Sequence, residues 1–167
     1  MEKIYAKFES MKVLSGSALK MIALVTMIID HIGSVLLSHM EFALTPLISI
    51  GSHGITLYFI ARKIGRLAFP IYCYLLTEGY IHTHDRKRYG INLFVFALIS
   101  EIPWDLEHTG KAFSLSSQNV FFTLFLGYVA ICAYEKYKDD SHRLFTCLFA
   151  LFVISLILHA DYGCKGL

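Results

Sequence analysis

Asp30 and His31 stand side by side past the middle of an apolar run, KMIALVTMIIDHIGSVLLS, covering residues 20–38. Ionisable side chains at that depth of a membrane-length segment cost roughly 3 kcal/mol each to insert, so they usually face a protein interior or a watered cavity. The pair therefore marks a candidate reaction centre. Thr26, Asp30, Ser34 and Ser38 recur every four residues, which predicts one shared helix face with His31 on its flank. An imidazole there can act as a general base, as a nucleophile that carries an acyl group, or as a hydrogen-bonding link between helices. Asp30 cannot orient its neighbour directly, because adjacent residues do not face each other on a helix. The orienting carboxylate has to come from Glu101, Asp105 or Asp161, while Asp30 either joins the chemistry or pairs with Arg66.

The remaining chemistry-bearing residues fall in three later segments. In FALISEIPWDL, Glu101 and Asp105 are four apart around Pro103 and project from one face. They can hold an ammonium group, share a proton, or snorkel from a helix end. Arg66, in IGRLAFPIYCYLLTEGY, can hold a phosphate or an acceptor carboxylate, or neutralise Asp30 or Glu101. Arg86, Lys87 and Arg88 can meet the phosphates of a coenzyme or serve only as topology determinants. His159, Asp161 and Tyr162 close the chain in HADYGCKG.

The elements that must position these residues are membrane helices. Of 167 residues 56% are apolar and 17% charged, with a mean hydropathy of +0.56, outside the range of ordinary soluble domains. The expected fold is an all-α polytopic transmembrane bundle of five spans plus the start of a sixth, forming a single domain over residues 19–167. Residues 1–18 are expected to be an amphipathic cytoplasmic leader, broken at Ser15-Gly16-Ser17, which can cap the first span. That span starts late and lacks a small-x-small cleavage pattern, so it should stay as an anchor. Residues 39–54 form a connection, and Ile55 to Ala61 is expected at the interface. Further spans are expected over 64–81, kinked near Pro70, then 89–106, 119–134 and 144–159. Cys73, Cys132, Cys147 and Cys164 lack metal-type spacing, so neither a metal site nor a disulfide framework is expected. A net charge of +2, with the basic residues flanking apolar runs, gives no support for nucleic-acid binding.

Counting Lys and Arg orients the bundle. With a cytoplasmic N-terminus, ten fall inside (Lys3, Lys7, Lys12, Lys20, Arg86, Lys87, Arg88, Lys136, Lys138 and Arg143) and four outside (Arg62, Lys63, Lys111 and Lys165). Asp30, His31, Arg62, Arg66, Glu101, Asp105, Gln118, Asn119, His159 and Asp161 are then all expected toward the extracytoplasmic side, with Glu78 the exception toward the inner end of the second span.

LKMIALVTMIIDHIG, IGRLAFPIYCYLLTEGY with its basic loop, FALISEIPWDL and HADYGCKG, in that order, resemble the TraX family of integral-membrane proteins, associated with acetylation of conjugative pilin. The resemblance implies an inner-membrane acyltransferase that uses acetyl-CoA as donor and an amine or hydroxyl acceptor such as a pilin N-terminus. It places Asp30, His31, Arg66, Glu101, Pro103, Asp105, Asp161, Tyr162 and Gly163 at family motif positions. Family members generally continue into further spans after Asp-Tyr-Gly-x-x-Gly, so further C-terminal spans are expected to be missing here.

The reading that follows is a membrane-bound N- or O-acetyltransferase. Asp30 and His31 are its catalytic residues, Arg66, Glu101, Asp105, His159, Asp161 and Tyr162 bind the acceptor, and Arg86, Lys87 and Arg88 bind the coenzyme. Its partners are the lipid bilayer, acyl-CoA and an acceptor protein or glycan, with self-association left open. The rival readings are a proton-coupled transporter and a non-catalytic subunit of an assembly system.

Overall fold

A computed structural model describes residues 14–50, 53–112, 114 and 118–158. The leader expected over residues 1–18 lies mostly outside the described residues, as do His159, Asp161 and Tyr162. The chain divides into two compact units, Met1–Leu75 and Leu76–Leu167, and the boundary falls inside a helix.

In the first unit, α1 (Gly16–His31) begins at the expected cap, where Ser15 Oγ accepts from the Ala18 amide at 3.1 Å. It continues through a π-helical turn, Ile32–Leu36, and a 3₁₀ turn, Leu37–His39. A single helical turn, α2 (Glu41–Leu44), leads to a hairpin of β1 (Pro46–Ile50) and β2 (His53–Thr56). The strands pair antiparallel, with Ile48 opposite Ile55 and an irregularity between Pro46 and Ile48. The expected all-α class holds, and this short hairpin is a local addition in the stretch read as a plain connection. β-Branched Ile48, Ile50, Ile55 and Thr56 favour extended backbone, and a Cβ at Gly54 would lie 2.8 Å from the Pro46 ring.

Next come α3 (Leu57–Gly65), capped by Thr56, and α4 (Ala68–His82). The expected helix over 64–81 is thus two helices joined by a turn at Arg66-Leu67. Pro70 sits in the first turn of α4, where its missing N–H leaves no bond unmade, so it starts a helix rather than kinking one.

The second unit holds the end of α4, then α5 (Arg86–Thr109), α6 (Val120–Tyr137) and α7 (Ser141–Ile157). Asp85, Asn119 and Asp140 cap these three helices through their side chains. Gly110, at φ 68°, closes α5 in the left-handed conformation that glycine adopts without strain. Helix α5 packs against α6 and α6 against α7. Phe94 meets Phe125 at 5.1 Å between ring centroids and Phe122 at 6.4 Å.

Among the described residues, two helical stretches are long and apolar enough to cross a membrane, Gly16–His39 with 24 residues and Val120–Tyr137 with 18. Neither is a buried core helix: Met21, Leu24, Val25, Ile28, Ile32 and Leu36 are all exposed on the first. Apolar surface of that extent needs lipid rather than water as its solvent. The chain is a helical membrane protein. The five expected spans exceed what length and composition mark, because α3 and α4 are short, α5 carries charge at both ends and α7 has 17 residues.

Candidate functional site

In the first unit, α1 packs against α3 through small residues. Ala23 and Thr26 are buried on α1 and Ala61 and Gly65 on α3. A Cβ on Gly33 would lie 3.1 Å from the Ala61 Cβ, and one on Gly65 would overlap the Asp30 side chain. Small residues allow the same close approach in membrane helix pairs generally. The face predicted from the four-residue spacing is present: Thr26 is buried and Asp30, Ser34 and Ser38 are half-buried, while the opposite face is exposed.

The closeness brings Asp30 to an arginine, though not the expected one. Arg62 Nη1 donates to Asp30 Oδ2 at 2.6 Å, whereas Arg66 sits exposed in the α3–α4 turn. The reason lies in the helix break. Arg62 is on the α3 face that touches α1, three residues before Gly65, and Arg66 is already leaving the helix. Asp30 Oδ1 is buried without a hydrogen-bond partner among the described residues. His31 is exposed on the flank, at the point where α1 turns into the π-helical segment. Such turns are frequent at functional sites.

The second unit gathers polar groups at opposite ends of the α5–α6 pair. At one end lie Glu101, Asp105, Gln118 and Asn119, all buried; Glu101 is 3% and Asp105 1% exposed. Snorkelling is therefore excluded for both carboxylates. Asn119 donates through Nδ2 to Glu101 Oε2 and, at 2.8 Å, to the Ala97 carbonyl, while its own amide reaches Glu101 Oε2 at 3.3 Å. Asp105 Oδ2 accepts the Ser114 amide at 2.6 Å. Glu101 Oε1 and Asp105 Oδ1 have no hydrogen-bond partner among the described residues. Two buried carboxylates, each with one oxygen unmatched, can receive a cationic or proton-bearing group.

At the other end, Arg86 Nη1 is 2.5 Å from Glu135 Oε2, and its guanidinium lies 4.6 Å from the Tyr80 ring centroid. Tyr80 donates to the same Glu135 oxygen, and Tyr128 donates to the Arg86 carbonyl at 2.7 Å. Arg86 is thus engaged within the protein. Lys87 and Arg88 remain exposed cations, with Arg88 held at the α5 N-terminus by its amide bond to Asp85. Sequence reasoning placed Arg62 near the level of Asp30 but gave the pairing to Arg66, and it missed Tyr80, Tyr128 and Glu135. The only signal for them was small residues at helical spacing, Ala61 and Gly65 on α3, and Gly90 opposite Tyr128. No group of three or more His, Cys, Asp or Glu that could hold a metal occurs among the described residues.

A model of the TraX protein family matches residues 15–167. The chain belongs to the TraX family. Its curated relatives include the probable fimbrial assembly protein FimC, serogroup H1, of Dichelobacter nodosus, 30% identical over 156 residues. That match covers 89% of this chain and 57% of the relative, so the chain spans little more than half the relative's length. No solved structure matches the chain.

Proposed function

We propose that this TraX-family chain is part of an integral-membrane acyltransferase that passes an acyl group, acetyl in the simplest case, from coenzyme A to an amine in pilus or fimbrial assembly. The observation that carries this reading is the buried Glu101–Asp105 pair with its two unmatched oxygens. A primary ammonium group satisfies such a pair, and loss of its proton to a carboxylate converts it into the nucleophile that attacks a thioester. The family and the fimbrial relative support a pilin N-terminus as that amine. In the first unit, taken by itself, His31 is exposed at the end of α1 as a candidate base or acyl-carrying nucleophile, and Asp30 is fixed by Arg62. The chain crosses the plasma membrane several times with its N-terminus inside, as the distribution of Lys and Arg favours. Lys87 and Arg88 then face the cytoplasm, where the coenzyme's phosphates are.

The test is transfer from labelled acetyl-CoA by the purified full chain to a peptide carrying a free N-terminus, comparing wild type with Glu101→Gln and His31→Ala. Loss of transfer in both variants with an unchanged melting temperature is the expected result. Full activity in Glu101→Gln removes the carboxylate pair from the reaction. The unmatched oxygens also favour a second reading, a proton-coupled carrier. Proton flux in vesicles without coenzyme A consumption would establish it in place of the first.

A further inference from the structure

Helices α3 and α4 follow α1 in the opposite direction. Gly33 lies against Ala61 and Arg62, Asp30 against Arg62 and Gly65, and the Tyr72 hydroxyl reaches Met27 Sδ at 4.0 Å. Each step back along α1 is thus a step forward along α3 and then α4. Together they cover 57–82, about 39 Å at 1.5 Å per residue, enough for one crossing of a hydrocarbon core of about 30 Å. That crossing is interrupted at Arg66-Leu67, next to the Gly65 that meets Asp30. Asp30 lies nine residues before His39, where the membrane-length stretch Gly16–His39 ends. The break is therefore about 13 Å below that end.

Non-helical backbone at such a depth is tolerated only where it is buried in protein or lines a water-filled cavity. Arg66 and Leu67 are both exposed, so burial in protein does not account for the break. On α1 a half-buried polar track of Asp30, Ser34 and Ser38 leads from the break to the His39 end, while Ile28, Ile32 and Leu36 are exposed on the other side. The charges there do not balance. Arg62, Lys63 and Arg66 lie within one turn of the break, whereas the carboxylates among the described residues of this unit are Asp30, already paired with Arg62, and Glu41, beyond the His39 end. We infer that α3 and α4 form one discontinuous crossing whose break is the floor of a water-filled crevice, open at the His39 end, that admits small anions to Arg66. A surplus arginine is costly at that depth in lipid and far less so where water and a counter-ion reach it. Its planar fork suits a carboxylate or phosphate group.

The test places single cysteines in the full chain, its native cysteines replaced by serine, in right-side-out and inverted vesicles. An anionic and a cationic membrane-impermeant thiosulfonate are applied to each side, and every rate is normalised to that reagent's reaction with free mercaptoethanol. Ser34→Cys and Arg66→Cys are expected to react from the His39 side only, within about tenfold of Ser38→Cys at the rim. Both lie deeper than Leu36→Cys, which faces lipid and is expected to react at least thirtyfold more slowly. Ser34→Cys exchanges one atom, so the test does not depend on the loss of an arginine. At Ser34→Cys the anionic reagent is expected to be at least threefold faster than the cationic one, and Arg66→Ala to remove that preference. No reaction at Ser34→Cys and Arg66→Cys from either side, or a rate at Leu36→Cys equal to theirs, overturns the crevice. An equal or faster reaction with the cationic reagent overturns the admission of anions. None of these results bears on Glu101 and Asp105, which belong to the second unit, so the acyl-transfer reading is tested separately.

Discussion

Arg62 and Asp30 form an ion pair of 2.6 Å between α3 and α1, with side-chain exposures of 32% and 22%. Removing one partner of a fully buried pair costs about 3–5 kcal/mol, because the survivor is left charged and desolvated. Partial exposure reduces this, so Arg62→Ala is expected to cost about 2 kcal/mol. Asp30→Asn combined with Arg62→Gln should recover more than half of that loss, whereas Arg66→Ala should stay within about 0.5 kcal/mol. Thermal unfolding in detergent, arranged as a double-mutant cycle, reads all of these. A zero coupling energy between residues 30 and 62 would mean that the pair does not join the helices.

Gly65 supplies the space in which that pair forms. A Cβ there overlaps Asp30, whereas one on Gly127 meets only Leu76 Cδ2 at 3.5 Å, an ordinary contact. Gly65→Ala is expected to lower stability by about 1–3 kcal/mol through overpacking, and Gly127→Ala to leave it unchanged or slightly raised. The same unfolding assay checks both. Equal effects would show that α1 and α3 do not approach this closely.

The sequence made the small and polar face of α1 legible, because a four-residue recurrence fixes a helix face whatever packs on it. It also indicated the Ser15 cap and the joint projection of Glu101 and Asp105. It did not indicate which arginine meets Asp30, since Arg62 and Arg66 are four residues apart and share a face for as long as the helix continues. The helix ends at Gly65, and that local break decided the partner. The hairpin over 46–56 was hidden because short apolar runs do not separate strand from helix by periodicity. Tyr80 and Glu135 were illegible for another reason. Their association is tertiary, and 55 residues separate them.

Asn119 both caps α6 and holds Glu101. Asn119→Ser keeps a capping oxygen while removing the Nδ2 bonds to Glu101 and the Ala97 carbonyl, so it isolates their worth. Glu101 Oε2 keeps the Asn119 amide at 3.3 Å, so the loss is of side-chain hydrogen bonds alone, and a bond to a carboxylate is worth about 1–3 kcal/mol. The expected result is a destabilisation in that range for Asn119→Ser, with a larger one for Asn119→Ala, which loses the cap as well. Identical losses in the two variants would show that capping is the whole contribution.

Helix α5 decides how many times the chain crosses the membrane. Its 24 residues extend about 36 Å at 1.5 Å per residue, against a hydrocarbon core of about 30 Å. Composition hides it as a span, because Arg86, Lys87, Arg88, Glu101, Asp105 and Glu107 all lie within it. The charge at Glu101 and Asp105 is, however, buried in protein and capped by Asn119 and the Ser114 amide, so lipid does not meet it. What remains for lipid is the apolar outer face at Ile91, Val95, Leu98, Ile99, Ile102 and Leu106, all exposed. The two ends of α5 should therefore emerge on opposite sides. In whole cells expressing a variant whose native cysteines are replaced by serine, Thr109→Cys should react with a membrane-impermeant thiol reagent, and Lys87→Cys only after permeabilisation. Reaction of both from the outside, or of neither, would leave α5 lying on one side of the membrane and would reduce the number of crossings on which the proposed transfer depends.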